Sequence, residues 1–394
     1  MLLMRVFIPL ASALALLTSL ELNAQETDWQ LKSNIYTGLD AWHIGHRPQN
    51  GPLAPTVFMP DSSTRWAYRE VSPWYVIQAT LGHSYQAAWV FKARANQSVG
   101  AKVDQLYYDH ALSPRLGFRV GVVDYRATWC RVYDLDDPWV READPFCSDK
   151  TIKLATASAP GLQAYSNMHW DRYQVQLLAG LYQPKLFSYE PQEFSDLLLL
   201  PDDRVTHNNK IGLTLNAIEL RTSTEWRISW IYADQSARLA PSSFNPNPAK
   251  IDHAVHLWFA GVSWQVSPRT RARLTHMRSD LRGTLTEFVP NQPDKLLHPR
   301  VIKQSTVLEL NYQHSPVDIW SVSVSQYPFV ERGAYEWKHR AVSLGWRRDW
   351  SRQWFTAVQL THAKNQVPYS IYPDFVPAGQ HSASGVGFRL GFKL

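Results

Sequence analysis

The chain has 394 residues, with 40 Lys and Arg against 34 Asp and Glu, 2 Cys and 17 Trp, and its mean hydropathy is −0.32. A helix that spans a bilayer needs about 20 consecutive apolar residues; past the N-terminus the longest aliphatic run is Leu197 to Leu200, which excludes a helical membrane protein. Disorder is excluded too, because 45% hydrophobic residues need a place out of water.

Residues 1–24 have the layout of a cleaved export signal: Arg5 supplies the charged start, Val6 to Leu20 the apolar stretch, and Leu22, Asn23 and Ala24 the cleavage site. The mature chain, 25–394, has no linker or low-complexity segment, and its repeating signal has period two. Tyr85, Ala87, Trp89, Phe91 and Ala93 alternate with Gln86, Ala88, Val90, Lys92 and Arg94, the pattern of a strand with one apolar and one more polar face. Leu116, Phe118, Val120 and Val122 alternate likewise with Arg115, Gly117, Arg119 and Gly121. Later copies set Trp226, Ile228, Trp230 and Tyr232 against Arg227 and Ser229, and Trp320, Val322 and Val324 against Ser321, Ser323 and Ser325. In chain order the predicted strands are 29–40, 73–81, 84–94, 100–109, 115–126, 161–169, 172–182, 208–218, 225–235, 253–264, 271–279, 304–313, 319–328, 339–348, 352–361 and 384–394, about 16 in all. Residues 65–72 leave room for another strand, so totals of roughly 14 or 18 stay open.

Short turns at 81–84, 110–115, 169–172, 219–224, 267–270, 314–318 and 349–352 alternate with mostly longer connections. In that short set Ser113-Pro114, Ser267-Pro268 and Ser315-Pro316 preset turn dihedrals. Tight turns on one rim and long loops on the other mark a transmembrane antiparallel β-barrel, which an even strand number lets close. Trp66, Trp74, Tyr75, Trp170, Trp226, Trp264, Trp346, Trp350 and Trp354 fall at strand ends, where interfacial aromatic girdles lie. A soluble sandwich or propeller also alternates, but its apolar faces are less regular.

The chain finishes in Gly387, Phe388, Arg389, Leu390, Gly391, Phe392, Lys393 and Leu394, an alternating strand that runs to the last residue. This strand resembles the C-terminal assembly signal of Gram-negative outer-membrane barrels, with Leu394 where porins usually end in Phe. The whole mature chain resembles the porin superfamily. The resemblance implies an all-β transmembrane barrel whose third external loop folds inward, a passive channel for small hydrophilic solutes, and a homotrimer. It also implies insertion by the barrel assembly machinery into the outer membrane, among its lipid and lipopolysaccharide.

Residues 127–160, after the fifth strand, form the third long connection and therefore the expected constriction loop. Both cysteines, Cys130 and Cys147, lie in it, and an exported chain would join them in a disulfide. In the chain-entropy model such a bridge contributes about 3 kcal/mol. Zinc would need paired cysteines and partner histidines that are absent here. The loop is acidic at Asp134, Asp136, Asp137, Glu142, Asp144 and Asp149. Opposite it, inward parity collects Lys92, Arg94, Arg119, Arg227, Arg271, Arg273 and Arg389, with Arg172 and Arg347 nearer short turns and Glu309 as the clearest carboxylate. A cationic wall facing an acidic loop sets a transverse field across a narrow lumen. The plainer alternative stays open, that these arginines sit at rims and pair with loop carboxylates or lipopolysaccharide phosphates.

Asp134, Asp136 and Asp137 lack the turn Gly and distal bidentate Glu of a calcium loop. No G-x-S-x-G, H-E-x-x-H, C-x-x-C or P-loop occurs, so neither an enzyme nor a cofactor is expected. The pI near 9.1 does not indicate nucleic acid, because the cations are spread over period-two faces. The expected function is a porin-like passive channel; the alternative is a loop-plugged barrel acting as receptor, adhesin or envelope scaffold.

Overall fold

The computed structural model describes residues 29–50, 67–83, 87–96, 100–124, 129, 158–183, 204–241, 247–290, 292–331, 335–370 and 379–393. They form β1 Trp29–Asn50, β2 Ala67–His83, β3 Ala87–Asn96, β4 Gly100–Ala111, β5 Leu116–Asp124, β6 Ser158–Trp170, β7 Tyr173–Tyr182, β8 Arg204–Glu219, β9 Thr224–Leu239, β10 Ala249–Ser267, β11 Thr270–Glu287, β12 Lys295–Leu297, β13 Arg300–Gln313, β14 Asp318–Glu331, β15 Tyr335–Asp349, β16 Trp354–Ser370 and β17 Gly379–Lys393.

Successive strands pair antiparallel from β1 to β11. From β11 the ladder passes to β13 and on to β17. The last strand then returns to the first, with Tyr36 opposite Lys393 and Asp40 opposite Arg389. The 16 long strands therefore close into a ring whose main edges are paired. The short β12 lies beside the far end of β11, Leu297 facing Leu285. The predicted strands correspond one to one with the ring members. Residues 67–72, where a further strand had room, are the first part of β2.

Alternation is what makes a strand of these sequences. Along β14, Val322 and Val324 point outward at 40% and 49% exposure, while Ser321, Ser323 and Ser325 between them are buried. In a soluble sandwich the aliphatic residues would be the buried set. Here Leu213, Leu215, Ile228, Trp258, Leu308, Leu310, Val342 and Leu344 are all exposed on the outside, the lipid-facing band of a barrel whose hydrogen bonds are satisfied within the ring. Among the described residues, two-residue and four-residue turns close six hairpins at one rim. Asp171 and Ser223 take the left-handed conformation there, with φ of 50° and 53°, which short polar side chains tolerate better than branched ones.

The strands outrun their predicted ends on the long-loop side. β10 has 19 residues and β1 has 22, where a tilted crossing needs about 9–11. Past the apolar band the outward residues of β10, His256, Asp252 and Lys250, are polar while the backbone ladder continues, so period-two apolarity alone stops short of the true ends. Two connections on that side, at 97–99 and 332–334, are shorter than expected.

Candidate pore-lining site

Trp129 follows β5 in the third long connection, yet its side chain is buried against strands well around the ring. Its indole Nε1 donates to Glu225 Oε1 on β9 at 3.1 Å. Its ring meets Phe259 of β10 edge-on, at 5.8 Å between centroids. The Arg227 and Arg273 guanidinium carbons lie 5.6 and 5.9 Å from the indole centroid, within cation–π range. Gly261 is what admits the ring, because a Cβ there would come within 2.5 Å of it. β9, β10 and β11 thus form a socket that holds the root of the third loop inside the barrel.

Three arginines of the inner face each bond a carboxylate on the same face. Arg119 Nε donates to Asp109 Oδ2 at 2.8 Å and its Nη1 to Gln163 Oε1 at 3.0 Å. Gln163 passes the chain on to the Tyr182 hydroxyl at 3.0 Å, and Tyr165 donates to Asp109 Oδ1 at 2.8 Å. Arg227 Nη2 pairs with Glu225 Oε1 at 3.3 Å. Arg273 Nε donates to Glu309 Oε2 at 2.6 Å, and that carboxylate is only 3% exposed. Pairing of this kind lets a charged group sit out of bulk water.

The inner wall is not uniformly polar. Tyr107, Tyr182, Ile231, Val255, Leu257, Phe259, Val307 and Tyr327 join Trp129 in one buried apolar cluster around it.

No family model matches the chain, and no curated protein matches it. Solved structures do. The anion-selective porin from Comamonas acidovorans superposes with a TM-score of 0.54 at 10% identity, covering 93% of this chain and 100% of that one. OprB of Pseudomonas putida gives 0.54 at 9% identity, covering 94% and 96%. The trimer form of OmpT, an outer membrane protein of Vibrio cholerae, gives 0.54 at 10% identity, covering 93% and 99%. The likeness is one of fold: a closed antiparallel β-barrel of the porin kind.

In this porin-like barrel the remaining cations named from parity fall as follows. Lys92 is on the inward parity of β3, opposite Gln78 and Gln105. Arg271 Nε donates to Ser263 Oγ at 2.8 Å. Arg389 stands opposite Ala357 and Asp40. Arg94 stands opposite Val76 and Lys102 in the ladder; its side chain lies outside the described residues, as do Cys130, Cys147, Asp134, Asp136, Asp137, Glu142, Asp144 and Asp149. At the short-turn rim Arg172 pairs with Glu219 at 3.1 Å and Arg347 with Asp349 at 2.9 Å.

Glu309, named from parity, is joined on the inner face by Asp109 and Glu225. Both were legible, since Glu225 stands two residues before Arg227, and Asp109 shares the parity of Tyr107. The docking of Trp129 was not legible, because it joins segments 96 residues apart.

Proposed function

We propose that this protein is a passive diffusion channel for small hydrophilic solutes in the outer membrane of a Gram-negative bacterium. One observation carries the reading: the root of the third loop is held inside the ring, Trp129 seated on β9–β11 among paired arginines. A loop fixed in that way narrows a polar-lined lumen. Lys92, Arg94, Arg119, Arg227, Arg271, Arg273 and Arg389 are proposed for the wall, and Asp134, Asp136, Asp137, Glu142, Asp144 and Asp149 for the facing loop, restrained by a Cys130–Cys147 disulfide. Cleavage after residue 24 and delivery by the barrel assembly machinery belong to the same reading. So does a homotrimer, supported by the likeness to the trimer form of OmpT. No catalytic step or cofactor is proposed.

A second reading has its own support. Leu257, Val307 and Tyr327 are inward-facing and about as buried as a protein core, each at 1% exposure, whereas a wide water-filled lumen would wet them. A barrel plugged by its loops would show this, and would serve as receptor, adhesin or scaffold. Planar-bilayer recording of the full mature protein decides between the two. Discrete conductance steps that grow when the segment between the cysteines is deleted support the channel; an inserted barrel that passes no current with or without that segment overturns it in favour of the plug.

A further inference from the structure

Of the six short turns among the described residues, five carry an arginine inside the turn itself. Arg115 closes β4–β5, Arg172 β6–β7, Arg221 β8–β9, Arg269 β10–β11 and Arg352 β15–β16, while the turn between β13 and β14 has His314 instead. All five arginines are exposed. Asp171 is the only carboxylate within these six turns. Acids on the adjoining strand ends are already engaged: Glu219 with Arg172 at 3.1 Å, Asp349 with Arg347 at 2.9 Å and Asp318 with Arg348 at 3.6 Å. Arg115, Arg221, Arg269 and Arg352 make no ion pair among the described residues.

Parity places this charge toward the mouth of the ring. Arg115 continues the inward alternation of Gly117 and Arg119, and Arg269 that of Arg271 and Arg273. The outward places beside them are apolar, with Leu116, Val266 and Trp170 exposed at 51%, 56% and 76%. Arg273 is four residues along the chain from Arg269, about 13 Å of strand. That exceeds the screening length of about 8 Å at physiological salt. The turn arginines are therefore a charge zone separate from the wall, where Arg119, Arg227 and Arg273 are each matched by a carboxylate.

We infer that the turn arginines form a collar that collects multivalent phosphorylated or carboxylated solutes at the short-turn mouth, the mouth that the proposed placement turns toward the periplasm. A ring of one sign raises the local concentration of the opposite sign. Guanidinium keeps its charge at any physiological pH and pairs bidentately with phosphate and carboxylate. Spacing favours multivalent anions, since the cations are spread over five hairpins and a single charge meets them one at a time. The inference rests on the channel reading above, and it adds the charge class of the solute and the mouth that selects it.

The test records the full mature protein in planar bilayers at about 10 mM salt, where screening reaches roughly 30 Å, with inositol hexakisphosphate added to each side in turn. Wild-type current should be blocked from one side only, and raising the salt to about 1 M should abolish the block. In R115Q/R221Q/R269Q/R352Q the half-blocking concentration on that side should rise about tenfold. The corresponding quadruple lysine variant keeps the charges and should stay blocked; loss of block there overturns the charge argument. Equal block from both sides, a block that ignores salt, or undiminished block in the glutamine variant would each overturn the collar, the last giving these arginines to lipid headgroups or to an acidic protein surface. The sidedness and salt arms need only wild type, so they hold even where the variants do not fold. Wild-type current with equal block from both sides removes this inference and leaves the channel standing, while an inserted wild type that passes no current removes the channel reading and the collar with it.

Discussion

At the residue scale, inward arginines here are half of a pair before they are anything else. Arg273 and Glu309 are both largely buried, and removing one partner of a buried pair leaves an uncompensated charge that costs about 3–5 kcal/mol. Glu309→Gln should therefore lower unfolding stability in urea titrations by that order, and adding Arg273→Met should recover most of it. Additive losses in the double variant would show that the pair is not coupled. Ser323 is different: its hydroxyl is buried with no hydrogen-bond partner among the described residues, so Ser323→Ala should leave stability unchanged or raise it slightly, since a hydroxyl deprived of water without a partner contributes nothing favourable. The Trp129 socket makes a third case. Trp129→Ala removes the ring, and Gly261→Leu fills the space it occupies. Both should raise single-channel conductance to a similar level by releasing the loop root. Wild-type conductance in both would mean that Trp129 does not hold a constriction.

At the element scale, face assignment follows from parity because each strand is fixed by two neighbours. Val322 is outward and Ser323 inward on consecutive residues of β14. Val322→Arg should then cost about 2–4 kcal/mol near the bilayer midplane, read as a lower refolding yield into vesicles, while Ser323→Ala refolds as wild type. Equal yields would mean that the register of β13, β14 and β15 is displaced by one residue, since a slip of one turns every side chain to the other face. The same logic explains the length of the strands. Hydrogen bonding between neighbours continues after the outward residues become polar, so β10 and β11 run on to Ala249 and Glu287, beyond the last residue that lipid would select.

At the scale of the whole molecule, the cationic wall is partly neutralised within itself. Arg119 with Asp109, Arg227 with Glu225 and Arg273 with Glu309 leave little net field from those six groups, which favours weak selectivity. Arg119→Gln uncovers Asp109 and should move the reversal potential in a salt gradient toward cations; Asp109→Asn should move it toward anions. A screening length of about 8 Å at physiological salt means that only a narrow lumen feels either change, so two unmoved potentials would indicate a wide or closed one. The sequence by itself determined the class, the place of each long strand and which rim carries the loops, because alternation and turn chemistry are local and recur in every hairpin; the total became fixed only when 67–72 proved to be the start of β2. It also marked Arg119, Arg227 and Arg273 as inward, since parity needs only nearest neighbours along the chain. Only the tertiary structure decided what those arginines touch, because their partners come from adjacent strands or from the turn of parity at Asp109 and Glu225. It alone placed Trp129 against Phe259 and Gly261, a contact between segments that only the curvature of the sheet brings together.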